Sequence, residues 1–485
     1  MTNIVQMMTG SEHAVPQAAI SPIYHMGHSV PLKIVTDDHL QHLFMQEHKS
    51  RFRFDSSSKR WMVYEAGIWE HVTKAQVEND LQTFLRENLV SIIEEYGPPK
   101  DEKGNWTDAH YRLASRYSSP SGQAAVLRMA AYVSANHVSS FDFDRDRHLL
   151  NTPTVVIDLK TGKKELHTPE RMMTRRTSVA PSGMEIPVFE AFVNDYTQGD
   201  SELESFLQRF FGLCLTGETR EHKLLFLCGP GGNGKSVLLN AVREILGSYA
   251  WMSNSSILMK GAESRHTTEV AELVGARMVT MSEVPADGMW SQQRLTSLTS
   301  GDTQTARFMY QDNFQFDPQF KLVLAGNHRP VIQTPDQAFL RRMLFLNSTF
   351  RPKTPDVALP DKLRREYGGI LQWMIDGAVA YYQEGLKIPT CISEATKYYA
   401  ADEDDVGQWF EECCIAEVAA WVTIQDLYTH YTEWAEDNGA REYKKRGLSE
   451  RIAAMGFSRD KRLGQRGFVG LSLTIKDAFS EPYRH

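Results

Sequence analysis

The sequence has few of the features that mark secreted, metal-binding or membrane proteins. It contains only five cysteines, Cys214, Cys228, Cys391, Cys413 and Cys414. No CxxC spacing occurs among them, which predicts reduced core thiols and neither a zinc site nor a disulfide framework. No uninterrupted apolar run is long enough to span a bilayer, and the first residues have neither a basic nor an apolar signal region. We therefore expect an intracellular, cytoplasmic protein.

An excess of positive charge is also missing. Asp and Glu number 61 and Lys and Arg number 53, which gives a net charge of -8. The net charge of the whole chain therefore does not attract nucleic acid, and any nucleic acid must bind to a local patch of basic residues. The length of 485 residues leaves room for about three domains.

The clearest motif is a glycine-rich turn that joins an apolar strand to an amphipathic helix. It is formed by Gly229, Pro230, Gly231, Gly232, Asn233, Gly234, Lys235, Ser236 and Val237. The glycines allow a sharp turn with inward-facing N–H groups, Lys235 can reach the β- and γ-phosphates, and the Ser236 hydroxyl can hold Mg²⁺. A chain of this length matches the pattern G-x-x-x-x-G-K-S by chance only roughly two times in a hundred. The motif therefore predicts a nucleoside triphosphate site with ATP and Mg²⁺ as cofactors.

Two later strands end in polar side chains. The apolar run 276–281 leads to Glu283, whose carboxylate can orient the attacking water and complete the Mg²⁺ shell with Ser236. The run 320–327 ends in Asn327, whose amide can hold a water beside the γ-phosphate. The alternative interpretations are a surface acid for Glu283 and an ordinary turn residue for Asn327.

Cationic side chains in the second half of the chain suggest further phosphate contacts. Arg341 and Arg342 can reach a γ-phosphate bound on a neighbouring subunit, as an arginine finger does, or can lie on a solvated helix face. Residues 298–316 predict a hairpin that carries Arg307 and Tyr310, side chains suited to a phosphate backbone and a base face.

The N-terminal part predicts a mobile tail, residues 1–33, and an α+β domain, residues 34–183. Helices are expected near 75, over 109–117 and over 122–135, and a strand over 154–159. Asp142 and Asp144 could share one face of a strand, as a metal-dependent primase requires. Because no third carboxylate accompanies them, a solvated acidic turn is the favoured interpretation.

The C-terminal part, residues 391–485, predicts a linker followed by a winged-helix domain. The acidic run 401–405 is interpreted as solvated linker. A helix over 423–437, a second over 449–455 and a strand over 467–473 follow. The basic residues that could dock on DNA, or serve subunit contacts and solubility instead, include Lys444, Lys445 and Arg446.

In their order these parts resemble superfamily 3 helicases, and most closely the phage and plasmid primase–helicase family, which includes the poxvirus helicase–primase. The resemblance covers most of the chain. Besides the glycine-rich loop, it rests on Ser282-Glu283, Leu298 to Asp302, Ala306-Arg307, Leu324 to Asn327, Arg341-Arg342, and Leu150-Asn151, Asp158-Leu159 and Thr161-Gly162 further upstream. It implies an α/β fold with an AAA+-type P-loop NTPase core over residues 184–390.

The resemblance further implies an ATP-dependent replicative DNA helicase of a phage or mobile element. Such a helicase is a hexameric ring that moves 3′ to 5′ on single-stranded or forked DNA, works beside primase and polymerase, and would act in a bacterial host or phage-infected cell. Lys235 and Ser236 then bind phosphates and Mg²⁺, and the roles given above for Glu283, Asn327 and the arginine pair carry over. Where relatives have a lysine this chain has Thr296, with Arg294 nearby as a substitute DNA contact. Primase activity is not carried over.

Two other functions compete with helicase activity. An NTP-switched origin-binding or loading protein would hydrolyse ATP yet leave a fork paired. A DNA-binding scaffold with a degenerate nucleotide site would not hydrolyse ATP, and the intact Lys235, Ser236 and Glu283 argue against it.

Overall fold

The computed structural model describes residues 34–260, 266–282, 289–309, 312–329, 332, 336–352, 354–402, 404–440 and 443–474. The tail predicted for residues 1–33 lies outside this range. The described residues form two compact units. The smaller unit contains the described residues up to Tyr64 together with Glu70–Ser140, and the larger contains Glu65–Trp69 and the described residues from Phe141 onward.

The smaller unit is an α+β arrangement. Its helices are α1 (Asp37–Glu47), α2 (Lys74–Tyr96), α3 (Asp108–Ser118) and α4 (Pro120–Tyr132). A four-stranded sheet in the order β3-β2-β1-β4 is formed by β1 (Phe52–Asp55), β2 (Arg60–Glu65), β3 (Ile68–Val72) and β4 (His137–Val138). The three helices expected from the sequence between residues 75 and 135 are confirmed within a few residues at their ends.

The larger unit begins with a small antiparallel sheet in the order β5-β6-β7. Its strands are β5 (Leu149–Asn151), β6 (Val156–Asp158) and β7 (Lys163–Glu165). Arg277 ties this sheet to the main sheet, because its guanidinium donates hydrogen bonds to the carbonyl oxygens of Leu149 at 2.8 Å and Leu215 at 2.5 Å. The sequence analysis groups residues 141–183 with the N-terminal domain, whereas the structure packs them against the main sheet; the domain boundaries themselves stay predictions.

The main sheet has five parallel strands in the order β14-β8-β13-β10-β9. Its strands are β8 (Leu224–Cys228), β9 (Ala250–Asn254), β10 (Met278–Ser282), β13 (Lys321–Gly326) and β14 (Met343–Asn347). Its flanking helices are α5 (Pro187–Thr197), α6 (Ser201–Leu215), α7 (Lys235–Leu246), α8 (His266–Ala271), α9 (Gln292–Thr299), α10 (Gln337–Leu340), α11 (Leu359–Arg365) and α12 (Tyr367–Glu384). Every residue of β8 and β13 is buried, as expected for central strands covered on both faces.

Helix α6 packs closely on α12 because both carry a glycine at the crossing. A Cβ on Gly212 would lie 2.2 Å from the Ala378 nitrogen, and one on Gly377 would lie 2.1 Å from the Gln208 carbonyl oxygen. The N-cap of α6 is Asp200, whose carboxylate accepts two backbone N–H bonds.

A two-stranded antiparallel hairpin projects between β10 and β13. It pairs β11 (Gln304–Ala306) with β12 (Phe314–Phe316), as the alternating sequence predicts. Phe308 stacks on Phe314 with ring centroids 5.1 Å apart, and Met309 is 69% exposed near the hairpin end.

The C-terminal segment follows helix α13 (Thr390–Asp402) with the elements α14 (Asp405–Cys413), β15 (Cys414–Thr423), α15 (Ile424–Asn438), α16 (Lys445–Ala454), β16 (Ser458–Arg462) and β17 (Gln465–Leu473). The three strands form an antiparallel sheet in the order β15-β17-β16. The described end of the acidic run is not solvated linker, because Asp404 caps α14 and pairs with Arg451 at 2.5 Å, and Asp405 is buried. Helix α16 starts four residues before the predicted position. In the part of the chain that the structure describes, no helix is long and apolar enough to cross a bilayer.

Candidate functional site

The glycine-rich loop follows the carboxyl end of β8 and leads into α7. Gly229 has φ 151° and Gly234 has φ 84°, and both conformations disfavour side chains. A Cβ on Gly229 would lie 2.2 Å from the Ser348 carbonyl oxygen, so only glycine fits there. Gly232 also has a positive φ, whereas a Cβ on Gly231 would have no atom within 4 Å. The structure thus gives a backbone reason for three of the four predicted glycines.

The ammonium of Lys235 is folded into the loop. Its Nζ donates hydrogen bonds to the carbonyl oxygens of Gly229 at 2.7 Å and Pro230 at 3.1 Å, and to Oδ1 of Asn233 at 2.8 Å. Asn233 in turn donates through Nδ2 to the Ser348 carbonyl at 3.2 Å. Desolvation lowers the pKa of Lys235. The negative charge of an anionic ligand at this point would therefore stabilise the protonated form of the buried Lys235.

The N-terminus of α7 offers backbone donors at the same place. Helix α7 begins at Lys235, and its N-cap, Gly234, has no side chain that could accept from the first turn. The first-turn N–H groups therefore remain available, and the helix dipole favours a negative charge beside them. Ser236 is exposed on this first turn, where its hydroxyl is accessible to a ligand.

Strand register brings Asn327 to the edge of this loop. Gly326 pairs with Cys228, and the Gly229 N–H donates to the Gly326 carbonyl at 3.3 Å. Asn327 is exposed and directly follows Gly326. On the other side of β13, Ala325 pairs with Ser282, the last residue of β10. Glu283, the predicted water-activating residue, lies outside the described residues, so its placement stays a prediction.

Arg341 and Arg342 lie at the opposite end of the sheet. The Leu224 N–H donates to the Arg342 carbonyl at 2.9 Å, so the arginine pair lies beside the amino end of β8 and directly before the amino end of β14. The loop begins after Cys228, at the other end of β8, which a rise of roughly 3.3 Å per residue places about 13 Å away. Because the length of β8 separates them from it, neither arginine can reach the glycine-rich loop of its own chain.

The two arginines differ in accessibility. Arg341 is exposed, whereas Arg342 is 8% exposed and donates through Nη1 to the Ala338 carbonyl at 2.7 Å. The Lys223 ammonium donates a hydrogen bond to the main-chain carbonyl oxygen of Arg341 at 2.5 Å, a contact that does not involve the Arg341 side chain. Arg341 is thus the one of the pair that can contact another molecule.

Arg329, two residues beyond Asn327, belongs to no motif of the sequence. Its guanidinium lies over the rings of Tyr398, 5.3 Å from the centroid, and Phe345, 5.8 Å from the centroid. Burial raises the pKa of the Cys228 thiol, and the nearby Arg329 charge partly offsets that increase. A cation therefore lies near the start of the loop in the same chain. Its position three residues after the end of β13 is the sequence signal that could have indicated it.

The predicted DNA-binding residues fall in separate places. Arg294 lies on α9, where desolvation lowers the pKa of its half-buried guanidinium, and Arg307 is exposed beside the β11–β12 hairpin. Tyr310 lies outside the described residues. The three basic residues at the start of α16 are Lys444, which is its N-cap, Lys445 and Arg446, and all three are exposed. The Lys445 ammonium contacts Gln425, and the Arg446 guanidinium pairs with Glu450 at 2.9 Å.

A parallel sheet with a glycine-rich loop and a free helix N-terminus at its carboxyl edge defines a mixed α/β protein. The fold is similar to that of the apo NrS-1 C terminal region, with TM-scores of 0.50 to 0.52 at 8% to 10% identity, covering 90% of this chain and 100% of that region. Residues 41–198 match the family described as D5 N terminal like, and residues 227–342 match a family of unknown function.

Three curated relatives come from viruses, and each carries a name that begins "Putative helicase". The protein of Acanthamoeba polyphaga mimivirus is 25% identical over 266 residues, which are 50% of this chain and 28% of that relative. The Frog virus 3 protein is 27% identical over 261 residues, 49% of this chain and 27% of the relative. The Invertebrate iridescent virus 6 protein is 24% identical over 312 residues, 56% of this chain and 32% of the relative. The chain thus spans about a third or less of these relatives. The matches confirm the resemblance to the primase–helicase family of phages and viruses.

Proposed function

We propose that the protein is an ATP-dependent replicative DNA helicase with an AAA+-type core of superfamily 3. The observation that carries this proposal is the strand order β14-β8-β13-β10-β9. It places the end of β8, from which the loop starts, between the ends of β13 and β14. In open parallel sheets a crevice of this kind, at the carboxyl ends of the strands, is where nucleotides bind. The helicase-named viral relatives support the same role.

The residues around the loop fit ATP and Mg²⁺. The buried Lys235 ammonium and the uncapped N-terminus of α7 suit the phosphates, and Ser236 has the hydroxyl that a Mg²⁺ ion takes as a ligand. Mg²⁺ would neutralise charge on the β- and γ-phosphates. In this proposal Glu283 holds the attacking water and Asn327 contacts the γ-phosphate.

Arg341 completes the nucleotide site of a neighbouring subunit. Its position at the amino end of the sheet separates it from its own loop, and its exposure leaves the guanidinium accessible. A subunit that offers a loop at one end of its sheet and an arginine at the other suits a head-to-tail ring, in which each interface joins the two. The ring size of six and 3′ to 5′ movement rest on the family resemblance.

DNA contacts come from two places in the chain. The β11–β12 hairpin presents the exposed Arg307 to single-stranded DNA. The C-terminal elements α14 to β17 have the order helix, strand, helix, helix and hairpin, and α16 begins with basic residues. This order supports a winged-helix domain that docks on DNA through α16 and its hairpin. Arg294 is a weaker candidate for a DNA contact because it is half-buried.

Hydrolysis and strand separation by the full chain test this function. We expect ATP hydrolysis that single-stranded DNA stimulates, and unwinding of a forked substrate. Lys235→Ala should abolish both, whereas Lys74→Ala, which removes an exposed lysine paired with Glu78 in the smaller unit, should change neither. Hydrolysis that survives Lys235→Ala contradicts the proposed site. Hydrolysis without unwinding identifies a loading protein instead.

A further inference from the structure

The hairpin of β16 and β17 ends in a turn whose geometry disfavours its first residue. Arg462 pairs with Gln465, so the turn consists of Leu463 and Gly464 alone. Their φ angles are 47° and 81°. A two-residue turn with positive φ at both positions is of type I′, which strongly prefers Asn-Gly, Asp-Gly or Gly-Gly. A bulky leucine is unfavourable there.

Leu463 gains nothing from burial that would offset this backbone strain. Its relative exposure is 102%, which means that the side chain stands fully in solvent at the tip. A strained conformation and an exposed apolar side chain both oppose folding. Where a local rule is broken without a gain in stability, a functional contact is the physical explanation to test.

Two cations flank the tip, and neither has an ion-pair partner among the residues that the structure describes. Lys461 and Arg466 face each other across the hairpin, and both are exposed. Like charges directly opposite each other on antiparallel strands are destabilising. The neighbouring Arg462 differs, because its guanidinium pairs with Asp460 at 3.0 Å and lies over the ring of Trp421. Within the described part of the chain, the tip therefore presents one apolar side chain beside two positive charges that no carboxylate neutralises.

We propose that this tip is a wedge for duplex DNA: Leu463 inserts between neighbouring base pairs from the minor groove, and Lys461 and Arg466 contact the phosphates on either side. Duplex DNA offers the matching chemistry, since its phosphates are negative and its base steps present an apolar stack that Leu side chains are able to unstack. The inference deepens the proposed function, because it takes DNA as the partner of the C-terminal elements. It adds local unstacking of the duplex, which neither the basic start of α16 nor the β11–β12 hairpin requires.

The test uses the full chain and a short duplex that carries 2-aminopurine, a base whose fluorescence rises when it unstacks. Three proteins are compared: the unsubstituted protein, Leu463→Asn, and the double variant Lys461→Ala/Arg466→Ala. Asparagine suits a type I′ turn, so Leu463→Asn should fold with an unchanged or higher thermal midpoint. We expect the unsubstituted protein to raise the fluorescence on binding and Leu463→Asn to bind without that rise.

The double variant separates the charges from the wedge. Its affinity for duplex should fall, and the slope of log Kobs against log salt should become shallower by about 0.9 for each lost phosphate contact. An undiminished fluorescence rise with Leu463→Asn overturns the proposal, and so does an unchanged salt slope for the double variant. A change in oligomeric state with unaltered duplex binding also overturns it, because the tip would then contact protein. DNA-stimulated ATP hydrolysis, measured on the same samples, reports separately on the helicase function.

Discussion

The Lys235 ammonium donates a 2.7 Å hydrogen bond to the carbonyl oxygen of Gly229, at the start of the loop that the lysine ends. The loop is therefore closed by its own lysine. A bound phosphate would compete with that carbonyl for the ammonium, and phosphate is the stronger acceptor because it is charged. In the proposed function, the same residue thus organises the loop and supplies the positive charge that the nucleotide phosphates need.

Replacement of two loop glycines gives a matched pair. Gly229→Ala forces a Cβ to within 2.2 Å of the Ser348 carbonyl oxygen, whereas Gly231→Ala places one in open space. We expect Gly229→Ala to cost about 1–3 kcal/mol of stability and to abolish ATP binding, and Gly231→Ala to stay within about 0.5 kcal/mol. Thermal unfolding and binding of a fluorescent ATP analogue check this. Equal behaviour of the two variants contradicts the loop geometry.

The arginine pair should divide into a surface residue and a packing residue. Arg342→Ala removes a buried side chain and its 2.7 Å bond to the Ala338 carbonyl. We expect a loss of about 1–3 kcal/mol in the free energy of unfolding for this variant and less than about 0.5 kcal/mol for Arg341→Ala. Thermal midpoints of both variants decide the question. A larger loss for Arg341→Ala would reverse the assignment.

Arg277 should be a major contributor to the stability of the larger unit. Its fully buried guanidinium donates to the Leu149 and Leu215 carbonyls and stacks on Tyr249, with the ring centroid 4.3 Å away. Arg277→Met keeps the approximate volume but leaves both carbonyls without that donor. We expect a loss of about 2–5 kcal/mol, since hydrogen bonds from a charged donor are strong. Limited proteolysis should then cut the linkage around residues 141–183 first, and unchanged resistance would refute the role given to Arg277.

Lys321 should make the stability of the larger unit depend on pH. Burial lowers the pKa of its ammonium from 10.5 to about 7, and the nearby Arg277 charge adds to this shift. Between these two values the unfolded chain binds the proton and the folded chain releases it, so stability rises as pH increases from about 7 to 10.5.

Lys321→Met removes this titration, because methionine carries no proton to release. As the pH rises from 7 to 9, the thermal midpoint of the unsubstituted protein should therefore increase relative to that of the variant. Lys362→Met, which removes an exposed lysine paired with Asp356, is the control and should show no such shift. The same difference at both pH values would show that Lys321 keeps an ordinary pKa.

The sequence predicts the central part of the site because its signals are local. The loop pattern, the buried strand before it and the apolar strand that ends at Asn327 each depend on neighbouring residues, and the structure reproduces those elements. The register in which β8 pairs with β13 is a contact between distant parts of the chain, and no local sequence pattern predicts it.

Other features depend on distant contacts, and sequence patterns do not report those. Arg342 is buried and Arg341 is exposed, but the sequence shows only two adjacent arginines and does not distinguish them. Asp404 looks like part of a solvated acidic run until Arg451, far along the chain, is found beside it. Arg329 was missed because its aromatic neighbours, Phe345 and Tyr398, are remote in sequence.

The proposed function depends most on one claim, that one subunit's loop and another subunit's Arg341 form a single ATPase site. Mixing two inactive variants tests it most directly. Lys235→Ala lacks the loop cation and Arg341→Ala lacks the proposed finger, so each should hydrolyse almost no ATP alone. In an equal mixture, about a quarter of head-to-tail interfaces join an intact loop to an intact arginine. Hydrolysis should then return to a measurable fraction of the unsubstituted rate. A mixture no more active than its two components, although the subunits assemble together, would contradict the claim.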